Sequence, residues 1–148
     1  MVNIHHDQNF KIVSYLPLSE KLIIWGIREW LQMIRTAKDP RKSLISGFSH
    51  LLVQESVLHF DKFMRITAYS AIKKIDVRYK CCMQIGEGEA DILAALTFSQ
   101  RKFMDFERLI LETFIEKKYI STASKHIHEI SNSFSRMGYF FQMNDEYL

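Results

Sequence analysis

Apolar positions recur along most of this chain at intervals of three and four residues, and sustained alternation is scarce, so the pattern predicts an all-α fold. The first strong segment, EKLIIWGIREWLQMIRTA, spreads Leu22, Ile23, Trp25, Ile27, Trp30, Leu31, Met33 and Ile34 around much of a helix expected from about Ser19 to Ala37. Asp39 followed by Pro40 marks the next start, because aspartate caps free backbone N–H groups and proline's fixed φ suits the first helical position. Leu44, Ile45, Phe48, Leu51 and Leu52 then form one side of a second helix. A third is expected from about Ser56 to Ile75, carried by Phe60, Phe63, Met64, Thr67, Ala71 and Ile75. Beyond it, Ile75, Val77, Tyr79 and Cys81 alternate with Asp76, Arg78 and Lys80, the pattern of a short extended connector near residues 76–84.

A short helix from about Glu87 to Phe98 follows, and after Ser99 comes one whose stripe is Phe103, Phe106, Leu109, Ile110 and Phe114, unless the two form one bent helix. Ser121 or Thr122 is the expected cap of the last helix, in which Ala123, Ile127, Ile130, Phe134 and Met137 repeat at heptad-like spacing until Gly138 ends it. The tail YFFQM is expected to pack down. No repeat and no linker rich in Pro, Gly or Ser divides the chain. The expectation is an irregular arm over residues 1–16 and one compact domain of five to six helices over residues 17–148.

Composition adds little to that outline. With 148 residues, 47% hydrophobic and 25% charged, the balance is globular. A chain of this size buries roughly 70% of its unfolded surface and needs no staple. Two adjacent cysteines are no disulfide framework, and MVNIHHDQNF lacks the basic and apolar regions of a signal peptide, so a cytoplasmic location is expected. The apolar run from Leu22 to Trp25 falls far short of the ~20 residues of a membrane span.

The stretch VRYKCCMQIGEGEADIL concentrates the candidate chemistry. It has a G-x-G but no third glycine and no Walker lysine, and Glu87, Glu89 and Asp91 would repel a phosphate. Carboxylates in the first turn of a helix are favoured by its dipole, so the glycines read as a turn and the acids as a helix start. Cys81 reads as a small packed side chain with Cys82 partly exposed beside it. No metal site is expected, since zinc needs about four ligands and adjacent cysteines point apart. His126 and His128 lie ~200° apart around a helix and cannot close on one ion. His5 and His6 fall in the arm. None of H-E-x-x-H, G-x-S-x-G, C-x-x-C or Glu-x-x-His is present, and Glu55 with His59, four apart, reads as a surface hydrogen bond. Neither an enzyme nor a cofactor is indicated.

Charge is uneven along the chain. Residues 1 to 80 carry 13 Lys and Arg against 7 Asp and Glu, whereas residues 81 to 116 carry 3 against 7. Lys62, Arg65, Tyr69 and Lys73, spaced three, four and four apart, predict a basic binding face with an aromatic in it on the third helix. Such a face suits an acidic protein partner, or nucleic-acid phosphates as the alternative. A helix-turn-helix around LAALTFSQRKFMDFERL is disfavoured by Asp105, Glu107, Glu112 and Glu116 in its second helix. Trp25 and Trp30, on a first helix apolar around much of its circumference, predict a homodimer interface.

Around IGEGEADILAALTFSQ, Ile85 to Gln100, with cysteine upstream in an extended connector, the chain resembles uncharacterised small helical proteins of alphaproteobacteria over roughly its C-terminal half. Those proteins often separate their cysteines, whereas Cys81 and Cys82 adjoin. The resemblance implies a cytoplasmic bacterial setting and no activity. The expected function is therefore a regulatory or protein-interaction module that pairs with itself or a partner, with a nucleic-acid-binding regulator as the alternative.

Overall fold

The computed structural model describes residues 12–142, and within them the chain is all-α, with six helices around one hydrophobic core. These are α1 (Leu18–Arg35), α2 (Arg41–Phe48), α3 (Val57–Ser70), α4 (Glu87–Gln100), α5 (Met104–Glu112) and α6 (Ile120–Arg136). Of the expected arm, residues 12–16 are described. Ile12 bridges to Gln84, and Val13 donates its N–H to Met83 O at 2.8 Å. His5 and His6 lie outside the described residues.

α4 is the central element. Ile92, Leu93, Ala94, Ala95, Leu96, Thr97, Phe98 and Ser99 are all buried, as befits a helix apolar around its circumference, and α5 and α6 pack against it. α3 lies along α6, and α2 closes the core with Phe48, whose ring meets Phe60 and Phe134 edge-on at 5.3 and 6.2 Å. Edge-to-face contacts at these separations add directional stabilisation to apolar burial.

Three boundaries differ from the sequence pattern, while the two helices expected on either side of Ser99 are separate, as read. α2 stops at Phe48, and Leu52 takes a left-handed φ of 60° after a 3-10 turn. Leu52 and Ile45 are therefore exposed and not on the inner side. α3 ends at Ser70 rather than near Ile75, although the sequence holds no breaker there. Ala71 turns extended and bridges to Ile115, so a backbone pairing over a long sequence separation replaces the next helical turn. α4 and α5 are two helices, parted by a turn in which Lys102 has φ 64°. Neither Ser121 nor Thr122 caps α6, which begins at Ile120 after a 3-10 turn. Gly138, at φ 83°, does stop α6, and Phe141 folds back onto Phe134 at 5.1 Å while Phe140 stays exposed. Met137, expected in the stripe, is 42% exposed.

The tryptophans correct the expected interface. Trp30 is 2% exposed and donates its indole N–H to Asp61 Oδ1 at 2.8 Å, so it belongs to the chain's own core. Trp25 is half-buried, and its ring lies over Gly47, where a Cβ would come within 2.3 Å of it. Trp30 is therefore not an interface residue, and Trp25 is covered in part from within the chain.

Candidate functional site

The cysteine and glycine stretch is a structural clasp. Arg28 of α1 and Glu89 of α4 are 5% and 0% exposed and form a two-pronged ion pair, Nε to Oε2 at 2.6 Å and Nη2 to Oε1 at 2.9 Å. The remaining donors of Arg28 reach the carbonyls of Cys82 at 2.7 Å and Gln84 at 2.8 Å, which pins the connector to α1. Glu89 Oε1 also accepts the N–H of Gly86 at 2.7 Å, the glutamate half of a capping box at the start of α4. Gly88 lets the connector approach, since a Cβ there would lie 2.4 Å from the side chain of Ile75. Glu87 N–H reaches Asp76 Oδ2 at 3.0 Å, and the Arg78 guanidinium beside Asp76 holds that carboxyl below its usual range. The glutamates thus do start a helix, but Glu89 has a second role that its spacing does not reveal. Cys81 departs from the expectation, being exposed rather than packed, whereas Cys82 is partly exposed as expected, with its carbonyl held by Arg28.

The basic face of α3 is only partly assembled. Lys62, Arg65 and Tyr69 lie on the helix, but Lys73 lies beyond its end. Arg65 is engaged with Asp61 Oδ2 at 3.0 Å. Lys73 is close enough to Asp91 to act on its carboxyl, which burial pushes up and Lys73 and Glu87 oppose and reinforce respectively. Tyr69 is 79% exposed and meets Tyr119 edge-on at 5.7 Å. Opposite charges therefore interrupt the cationic row.

The histidines separate as the helical wheel requires. His126 faces α3, where its Nδ1 lies 3.0 Å from His59 Nδ1, and His128 faces α5, where its Nε2 lies 2.8 Å from Glu107 Oε2. Glu55 does not pair with His59; it takes Arg136 at 2.6 Å and Ser133 at 3.3 Å across the α3–α6 seam. Ser124, His128 and Glu107 converge, but Ser124 donates to Glu107 Oε1 and approaches the same ring nitrogen that the carboxylate holds. A nucleophile relay needs base and orienting group on opposite nitrogens, so this cluster anchors α5 to α6 instead. Among the described residues, no group of three or more His, Cys, Asp and Glu could hold a metal. A cleft of about 80 Å³ beside Lys21, Trp25 and Lys80 is too small for a drug-sized ligand. Its Lys80 is already paired with Glu29.

α5 is the feature that the sequence pattern assigned to the core. Its inward residues are Glu107 and Leu111, both at 0% exposure, while Phe103, Phe106 and Leu109 stand 46, 54 and 57% exposed. Phe106 stacks on buried Phe98 at 5.4 Å, and Phe103 meets Phe106 edge-on at 6.3 Å, so a rigid aromatic surface faces solvent. The signal available in the sequence was Glu107, set between Phe106 and Leu109: one of the two faces had to be buried with a partner for its charge. Ser124 and His128 supply that partner from another helix.

No family model, curated protein or solved structure matches the chain. Among the described residues, no helix is long and apolar enough to cross a membrane.

One buried and one half-buried group set opposite pH responses. Glu20, 3% exposed in the first turn of α1, accepts the N–H of Gln142 at 3.2 Å; burial outweighs this bond and the nearby Arg101, raising its carboxyl from 4.5 to about 7. Between those values the folded chain keeps a proton that the unfolded chain releases, so the contribution of Glu20 falls as pH rises to 7. His126 is shifted down by burial and by His59, Lys62 and Lys125, with Glu129 opposing, so its contribution is lost as pH falls below the ordinary histidine range. Glu20→Gln should therefore be more stable than the parent above pH 7, by about 1–3 kcal/mol, and the gap should close towards pH 4.5. Urea midpoints across that range check this; a constant gap would refute it.

Proposed function

We propose that this chain works by binding, as a non-enzymatic helical interaction module of regulatory character, and that α5 is its contact element. The observation that carries the reading is the solvent-facing apolar surface of Phe103, Phe106 and Leu109, with Phe106 stacked on Phe98. Large apolar groups clustered at a surface mark interaction sites, and aromatic anchors supply most of the energy where partners meet. The cationic row on α3 supports the alternative, nucleic-acid binding, less well, because Asp61 holds Arg65 and Lys73 stands off the helix.

A photo-crosslinking phenylalanine analogue placed at position 106 or at position 69, in the cells that make the chain, separates the readings. The expected result is a discrete protein adduct from 106 and none from 69, both sites being exposed. Adducts to nucleic acid from 69 alone, with affinity falling by about 0.9 in log K per log salt for each phosphate met, would install the alternative.

A further inference from the structure

The flanks of α5 specify the partner that fits its apolar strip. Arg101 and Lys102, in the turn leading into the helix, and Asp105, Arg108 and Glu112 within it are all exposed, and the charge runs positive, negative, positive, negative along this stretch. Asp105, Arg108 and Glu112, spaced three and four apart, share one flank beside Phe106 and Leu109. Four of these five charges are also antisymmetric about the point between positions 106 and 107, Lys102 having Leu111 as its counterpart. Arg101 stands as far before it as Glu112 stands after, and Asp105 as far before it as Arg108 after.

From this antisymmetry we infer that the surface docks a second copy of this chain, with the two α5 helices antiparallel about a two-fold axis near Phe106. The inference rests on α5 being the contact element. A two-fold axis across antiparallel helices brings the same flank of each together with its direction reversed. Asp105 of each copy then opposes Arg108 of the other, and Arg101 opposes Glu112, giving four attractive pairs in one dimer. Along the strip, the two Phe106 side chains meet beside the axis, and Phe103 of each copy meets Ile110 of the other. A parallel pairing about a two-fold axis would put this flank on opposite sides of the seam in the two copies, so none of the four attractive pairs would form. A helix of 9 residues is only about 14 Å long and covers less than the ~800 Å² a side of a standard interface, so the dimer is concentration-dependent, with a dissociation constant in the micromolar range or weaker.

Sedimentation equilibrium of the full chain, from about micromolar to about millimolar concentration, tests the proposal. The parent should move from 17.6 kDa towards twice that mass. Phe106→Glu should stay monomeric. Asp105→Arg and Arg108→Glu should each associate about tenfold more weakly, since two pairs per dimer change from attraction to repulsion. The two variants mixed in equal amounts should regain parental affinity as a heterodimer, because each then meets opposite charge, and circular dichroism confirms that each is folded. A parent that remains monomeric overturns the second-copy partner; if position 106 still crosslinks to another protein, α5 stands as the contact element with a different occupant. A dimer indifferent to both charge reversals overturns the antiparallel register, and a dimer indifferent to Phe106→Glu overturns the use of α5 altogether.

Discussion

Replacing Glu89 with alanine is expected to cost about 3–5 kcal/mol, the penalty of leaving a buried guanidinium without its counter-ion. Arg28 is 5% exposed and could not turn to water without releasing the connector carbonyls of Cys82 and Gln84. The same change frees the N–H of Gly86, so α4 would lose its cap as well as its tie to α1. For a chain of this size the loss corresponds to a fall in Tm of ~10 °C or more. Arg28→Met should cost a comparable amount, by stranding the carboxylate. The double change Arg28→Met with Glu89→Met should recover part of the loss, because an apolar pair of similar volume replaces two desolvated charges. The connector carbonyls and the cap would still lack their donors and acceptor, so recovery stays incomplete. Chemical denaturation of the four proteins checks this; a loss below ~1 kcal/mol in the single variants would show that water reaches the pair.

How far such features can be read from the sequence depends on whether their cause is local. The start of α4 was legible because acids in a first turn interact with the dipole of the helix they begin. The stop at Gly138 was legible for the same kind of reason, since a left-handed residue ends a helix by itself. Glu89 read correctly as a helix-start residue and incompletely as a partner, because Arg28 stands 61 positions away. The end of α3 was not legible at all: Ser70, Ala71 and Ile72 carry no breaker, and the bridge from Ala71 to Ile115 belongs to the assembled fold. Lys73 was placed on the basic face for that reason alone.

α5 shows a different limit. Periodicity located its two faces correctly but could not say which one turns inward, because hydrophobicity favours the Phe106 and Leu109 side and the packing favours Glu107 and Leu111. A buried carboxylate is tolerated where hydrogen-bond donors await it, and those donors lie on α6. The aromatic side left outside is then the part of the molecule with most to gain from a partner.

Trp30 supplies the decisive contrast between a core residue and an interface residue. Trp30→Ala is expected to destabilise the chain by about 3–5 kcal/mol, since it removes a large ring from a packed interior and leaves a cavity. Trp30→Phe keeps most of the volume but removes the donor from Asp61 Oδ1, while Arg65 still holds Oδ2 at 3.0 Å. Its cost should be smaller, about 1–3 kcal/mol, the penalty of one buried acceptor left without a partner. Neither change touches the surface, so the folded Trp30→Phe protein should associate with the parental concentration dependence. Denaturant unfolding gives the first quantity and sedimentation the second. Had Trp30 stood at a dimer contact, the pattern would be inverted, with association abolished and the unfolding free energy of the monomer unchanged. That inverted result would return the interface to α1 and contradict the burial at 2% exposure from which the correction was drawn.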